Sequence, residues 1–283
     1  MISIRSVTAC LLACLLASCE SREDFESGTR LVFGFDPLDS LLPTDEIQQR
    51  SKETIAKRLE SYGLRQYRVR AEGEDRVVVE VAGDETTVEL VKPVLVSMGR
   101  LSFTLEKDGK TSDDELSLYE ATERKYNEAR RAWIRKQRGT STTQDSESSK
   151  SLPPRPEYVV RKDADGKKFV LESNKNSSVS GDLLKSAKPV FTERGMPAIG
   201  FSLNPEGAER MAAITGENIG RRIAFVLDDV VIQSPTSQGR ISGEGRITGD
   251  FTRTDVQKTV HILRGGALPV PLELREVKAF GKE

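Results

Sequence analysis

Apolar and polar positions follow two rhythms along the chain, and their order predicts the architecture. Arg30–Asp36 (RLVFGFD) is a short apolar and aromatic run that reads as a strand. Pro43-Thr44-Asp45-Glu46 then opens a helix, with Thr44 placed to cap it and the two acids suited to its positive end. Ile47, Ile55, Leu59 and Tyr62 fall on one face of that helix, and Gly63 stops it. In RQYRVRAEGEDRVVVEVAG the alternation of Tyr67 and Val69, then Val77, Val79 and Val81, predicts two strands around a turn at residues 72–75. ETTVELVKPVLVSMG is a second helix, in which Pro93 marks either a kink or the start. RLSFTLE is the strand after it. The resulting order, βαββαβ, is the split βαβ of a ferredoxin-like unit.

Beyond this unit the rhythm changes. Asp113–Arg138 is helical and charged, acidic in its first half and basic in its second (RRAWIRKQR), which complements the helix dipole. GTSTTQDSESSKSLPPRPE, rich in Ser, Thr and Pro, predicts a disordered linker. Short strands follow: a hairpin in EYVVRKDADGKKFVLE and two strands in KPVFTERGMPAIGFSL. Asn204 caps a helix with Pro205 at its first position, and that helix ends at Gly220. RRIAFVLDDVVIQSP is a hairpin turning at Asp228-Asp229, and GRITGDF is a further strand. Thr252 to Asp255 fits a capping box for the last helix. The extended tail ALPVPLELREV is free to pair with an earlier strand.

The amino terminus has a different character. Its apolar run, Val7 to Ala17, follows Arg5 and falls short of the roughly 20 residues that span a bilayer. Leu16-Ala17-Ser18-Cys19 resembles a bacterial lipobox, which implies a signal peptide over residues 1–18, cleavage before Cys19 and acylation of Cys19. An ordinary secretory signal containing a cysteine is the other reading. Residues 19–28 form a polar tether. Glu20 after the cysteine resembles an outer-membrane sorting signal, so the expected place is the cell envelope, facing the periplasm, with the outer membrane favoured over the inner.

Composition narrows the chemistry. With 43 basic and 44 acidic residues the chain lacks the field of a nucleic-acid binder. Cys10 and Cys14 lie in the segment to be removed, which leaves Cys19 alone, and His261 is the only histidine. A cysteine-based metal site and a Ser–His–Asp triad are therefore poorly supported. Adjacent Asp228 and Asp229 fit a turn, and His261 fits a packed helix position. Gly243, Gly245 and Gly249 miss the spacing of a phosphate loop and carry no following lysine. No cofactor is expected, no metal, and no enzymatic activity.

One resemblance extends these readings. IGFSLNPEGAERMAAITGENIGRRIAFVLDDVVIQSP, ISGEGRITGDFT and ILRGGALPVPLEL resemble the first periplasmic (P1) domain of the SecD protein-export family. The likeness runs through Asn204, Glu206, Gly207 and Ala208; Thr215, Asn218 and Gly220; Val226, Leu227 and Asp228; and Leu263, Arg264 and Gly266 to Pro269. KRLESYGLRQYRVRAEGEDRVVVEVAG and GRLSFTLE are similar as well. Asp229 stands at the family's turn glycine and Gly265 at an alanine. The resemblance implies an α+β fold: a ferredoxin-like base over 29–107, completed by 267–277, with an α+β head inserted over 158–266. Residues 108–157 hold the charged helix and linker. It further implies a head that contacts emerging polypeptide and moves against the base, with Gly265 and Gly266 as a candidate hinge. A plain helix end is the alternative for these glycines. The family's transmembrane, proton-driven motor has no counterpart in this sequence.

The expected function is a lipid-anchored, non-enzymatic export accessory that binds unfolded secreted polypeptides, or Sec translocon components, by adding extended chain to open strand edges. A structural or assembly lipoprotein with one folded envelope partner is the other class. Arg130, Arg131, Trp133, Arg135 and Lys136 are the candidate contact to a partner or to anionic lipid.

Overall fold

The structure is a computed structural model that describes residues 21–22, 25–83, 85–139, 152–174, 176 and 178–281. The expected signal peptide, Cys19 and residues 140–151 of the expected linker lie outside the described residues.

In chain order the first elements are β1 (Ser21–Arg22), β2 (Gly28–Gly34), α1 (Thr44–Tyr62), β3 (Tyr67–Glu72), β4 (Arg76–Val81) and α2 (Glu85–Val96). Next come β5 (Leu101–Leu105), α3 (Asp113–Gly139), β6 (Tyr158–Lys162), β7 (Lys168–Glu172), β8 (Ser178–Ser180), β9 (Leu184–Phe191) and β10 (Pro197–Leu203). The last are α4 (Pro205–Glu217), β11 (Ile223–Leu227), β12 (Val230–Gln233), β13 (Glu244–Ile247), α5 (Arg253–Gly265) and β14 (Glu273–Phe280).

The first sheet has the order β1-β3-β4-β2-β14, antiparallel throughout. Setting the two-residue β1 aside, second, third, first and last strands lie in the sequence that a ferredoxin-like sheet requires. Its core is the predicted stripe of α1 (Ile47, Ile55, Leu59) with Val88, Val91 and Leu95 of α2, packed on Leu31, Phe33, Tyr67 and Val79. Leu268, Val270 and Leu272, from the segment leading into β14, close this core.

One strand is placed differently from the βαββαβ expectation. β5, expected to finish the first sheet, pairs instead with β11 and β8 in another sheet, and the tail strand β14 takes its place beside β2. Alternation in RLSFTLE fixes which side chains are buried and leaves the partner strand open. Gly99, at φ 70°, turns the chain off α2 toward that other sheet. Smaller corrections concern helix ends. Pro43 occupies the cap position of α1 and Thr44 is already helical, with no side-chain cap bond. Pro93 lies inside α2 and does not start it. α4 ends at Glu217, and Gly220 belongs to the turn that follows.

Two sheets build the second region: β7-β6-β12-β11-β5-β8 and β13-β10-β9. Their shared core joins Phe103, Phe201 and Phe225, with ring centroids 4.9, 4.9 and 6.3 Å apart, to α4 and α5. Both expected caps are present: Asn204 Oδ1 accepts from the Gly207 N–H at 2.8 Å, and Thr252 forms a reciprocal box with Asp255.

Candidate functional site

The two regions meet where α5 crosses α1, and one side chain organises that crossing. Arg58 lies three residues after Ile55 and four before Tyr62, on the apolar stripe of α1. It is fully buried. Its guanidinium donates to the carbonyls of Val94 (2.8 Å), Met98 (3.3 Å) and Gly266 (2.7 Å), and to that of Ser97. These are oxygens at the ends of α2 and α5, where the helices have no further N–H groups to offer and their dipoles favour a cation. Burial lowers the Arg58 pKa to about 10, against the opposing pull of Asp228. Sequence reasoning missed this residue. Its only signal was a charge within an apolar stripe.

The candidate hinge glycines sit against this arginine. A Cβ on Gly265 would lie 2.2 Å from Arg58 Cγ, so the helices approach this closely only because none is there. Gly266 caps α5 at φ 88°, a left-handed value, and its carbonyl is one of the Arg58 acceptors.

Asp228 and Asp229 do turn the β11–β12 hairpin, with φ of 50° and 67°. Each also holds something. Asp228 accepts from the Ser97 hydroxyl and from the Arg100 N–H (2.8 Å), and Asp229 pairs with Arg161 at 2.7 Å. His261 packs as expected. Its Nδ1 lies 2.8 Å from Ser61 Oγ and its ring 5.0 Å from Tyr62, which joins α5 to α1. Burial, then Arg264, hold its pKa below the ordinary histidine value. Gly243 is a turn residue at φ 91° and Gly245 lies within β13. Among the described residues no group of three or more His, Cys, Asp or Glu side chains is placed to hold a metal.

The basic end of α3 divides into docked and exposed groups. Arg131 binds Asp39 and approaches Asp36 (3.5 Å), and Arg130 reaches the Asp39 carbonyl at 3.4 Å. Ile134 is fully buried and Trp133 half-buried, whereas Arg135 and Lys136 are exposed. Arg138 adds bonds to Thr44 Oγ1 (3.1 Å) and the Ser40 carbonyl (3.3 Å). At its other end α3 is tied to the second region through Glu123–Arg161 (2.8 Å) and Glu120–Lys168 (2.7 Å).

A largely apolar concavity lies in the second region. It has a volume of about 290 Å³ between Met211 and Thr215 of α4, Ile223 and Phe225 of β11, and Pro235 and Ile241 of the loop after β12. Its wall comes from segments far apart in sequence, so no local pattern announces it. Two of the strand edges, on β9 and β14, are less open than expected. On β9, Arg264 Nε donates to the Ala187 carbonyl at 3.0 Å and Pro189 has no N–H to offer. β14 carries Glu273, Arg275, Glu276 and Lys278, charges of the kind that discourage strand addition.

Among the described residues no helix is long and apolar enough to cross a membrane. Residues 157–270 match the family described as SecDF, P1 head subdomain. The protein translocase subunit SecD of Aquifex aeolicus is 31% identical over 256 residues, covering 90% of this chain and 44% of that protein. SecD of Elusimicrobium minutum is 27% identical over 264 residues, covering 91% and 52%. The chain thus spans about half the length of these relatives, or less. Among solved structures, SecDF in its super-membrane-facing form matches with a TM-score of 0.65 at 22% identity, over 93% of this chain and 32% of that one. A second, of a membrane component SecDF that enhances protein export, gives 0.62 at 23% identity over 89% of this chain and 100% of that one. Likeness at these identities shows a shared fold, here the α+β architecture described above.

Proposed function

We propose that the chain is a lipid-anchored polypeptide-binding accessory of protein export, held in the cell envelope through Cys19. The observation that carries the reading is likeness to SecD along about nine-tenths of the chain, taken together with the match of residues 157–270 to the P1 head. The open apolar cavity between α4 and β11 supports it, since it offers a seat for one or two apolar side chains of an extended client. The anchor is supported by Leu16-Ala17-Ser18-Cys19. Export support rather than catalysis accords with the packed position of His261.

Photo-crosslinkers placed in cells at Thr236 and Gln238, beside the cavity, test the client reading. Many secreted chains caught in unfolded form are expected. Recovery of one stoichiometric folded protein would instead establish the second reading, an assembly lipoprotein, which the closed β9 edge favours. Mass spectrometry of the mature amino terminus tests the anchor: diacylated or triacylated Cys19 is expected, and an unmodified thiol rejects it.

A further inference from the structure

A second concavity lies where α3 passes over the junction of the two regions. It has a volume of about 390 Å³, and much of its lining consists of donors. Arg100 enters from the turn between α2 and β5, Arg130 from α3, Arg155 from the segment that leads into β6, and Arg161 from β6 itself. Tyr126, Asn127 and Ser173 add neutral polar groups.

Two carboxylates share the space and both are engaged. Asp39 is held by Arg131, and Glu123 accepts from Arg161 at 2.8 and 3.0 Å. Arg130 reaches only the Asp39 carbonyl at a long 3.4 Å. Among the described residues the guanidinium groups of Arg100 and Arg155 have no partner, nor do the side-chain donors of Tyr126, Asn127 and Ser173. The cavity therefore holds a surplus of cationic, forked donors, and both of its carboxylates are already engaged. That is the chemistry that binds tetrahedral oxyanions, because guanidinium groups match their oxygens two at a time. The donors line one half-open concavity of about 390 Å³, a volume that favours a compact anion over an extended acidic peptide.

We propose that this cavity binds a phosphate-type anion of two or more negative charges, free or as the headgroup of an anionic lipid, at the junction of α3, β6 and the α2–β5 turn. An occupant there touches three separate segments, so it draws α3 and the head against the base.

Calorimetric titration of the full chain at fixed ionic strength tests this. The probes are pyrophosphate, inorganic phosphate and short-chain phosphatidylglycerol, with short-chain phosphatidylcholine as neutral control. Saturable binding of at least one anionic probe is expected, weakened about tenfold by Arg100→Gln and by Arg155→Gln, since each loses charge-assisted hydrogen bonds. Both arginines are exposed, and circular dichroism verifies that the variants fold. Binding of the inorganic probes alone assigns a free anion, and binding of phosphatidylglycerol alone assigns a lipid headgroup. Absence of saturable binding for all three probes overturns the proposal. So does unchanged affinity in both variants, or hexaglutamate binding more tightly than pyrophosphate.

Discussion

Arg58 shows how one residue can hold two helix ends and a domain crossing together. Its guanidinium is the partner of buried and part-buried helix-end carbonyls, and each one stranded away from water costs about 1–3 kcal/mol. Arg58→Ala is expected to destabilise the protein by about 3 kcal/mol or more. Thermal unfolding followed by circular dichroism should then show a melting temperature roughly 10 °C lower. Arg58→Met keeps much of the volume and still strands the carbonyls, so it should recover only part of the loss. His261 makes a separate prediction. Its folded pKa lies below the ordinary 6.5 because burial, and then Arg264, disfavour the imidazolium. As pH falls through 6.5 the unfolded chain takes up the proton first, so stability present above that value is lost as acid reaches the folded pKa. Between pH 7.5 and about pH 5, the melting temperature should fall more in the wild type than in His261→Gln, whose Nδ1-bonded serine has no titrating partner. Much of this was visible in the chain: the caps at Asn204 and Thr252, the Asp228-Asp229 turn and the packed histidine. Arg58 was not, since an isolated arginine on an apolar stripe reads equally well as a side chain reaching out to solvent.

At the scale of elements, close approach decides more than composition. α5 lies on α1 only because Gly265 leaves room for Arg58, so Gly265→Ala forces the helices apart at a cost of about 1–3 kcal/mol. A glycine present only for flexibility would behave oppositely, since alanine would gain up to about 1 kcal/mol by restricting the unfolded chain. Chemical denaturation of the variant separates the two. α3 illustrates a different balance. Its dipole-matched charge pattern made the helix legible, and its partners were hidden because Asp36, Asp39, Arg161 and Lys168 look like any solvated charges. Arg131 is half exposed, so its pair with Asp39 contributes only about 1 kcal/mol or less. Arg131→Glu faces two aspartates, however, and should release the carboxy-terminal half of α3. Faster amide exchange across residues 131–138 is the expected readout, with Arg135→Glu, whose side chain is exposed, unchanged. Of the five residues singled out at this end, Arg135 and Lys136 have exposed side chains.

For the whole molecule, sequence periodicity predicted two α+β regions and misassigned one strand between them. Strand alternation specifies the buried face and is silent about the neighbour, so β5 was equally at home in either sheet. The cavities were illegible for a related reason: Met211 and Ile241, or Arg100 and Arg155, become neighbours only after the fold forms. Removing residues 273–281 should strip β2 of its outer partner and leave the apolar RLVFGF run on an open edge. Loss of exchange protection in β2, with β10 and β11 retained, is the expected result. Gly28 lies opposite Phe280 and Gly34 opposite Glu273, so partners in the first sheet come from opposite ends of the described chain. During synthesis or passage through a membrane, β2 to β4 would emerge first and wait, while β5 to β13 could fold as soon as they appear. Sheet closure would then come last and slowly, because so long a loop must be gathered before any contact rewards it. Until that moment the nascent protein would itself be a partly unfolded chain with a sticky edge, in need of the same kind of handling that it is proposed to give others.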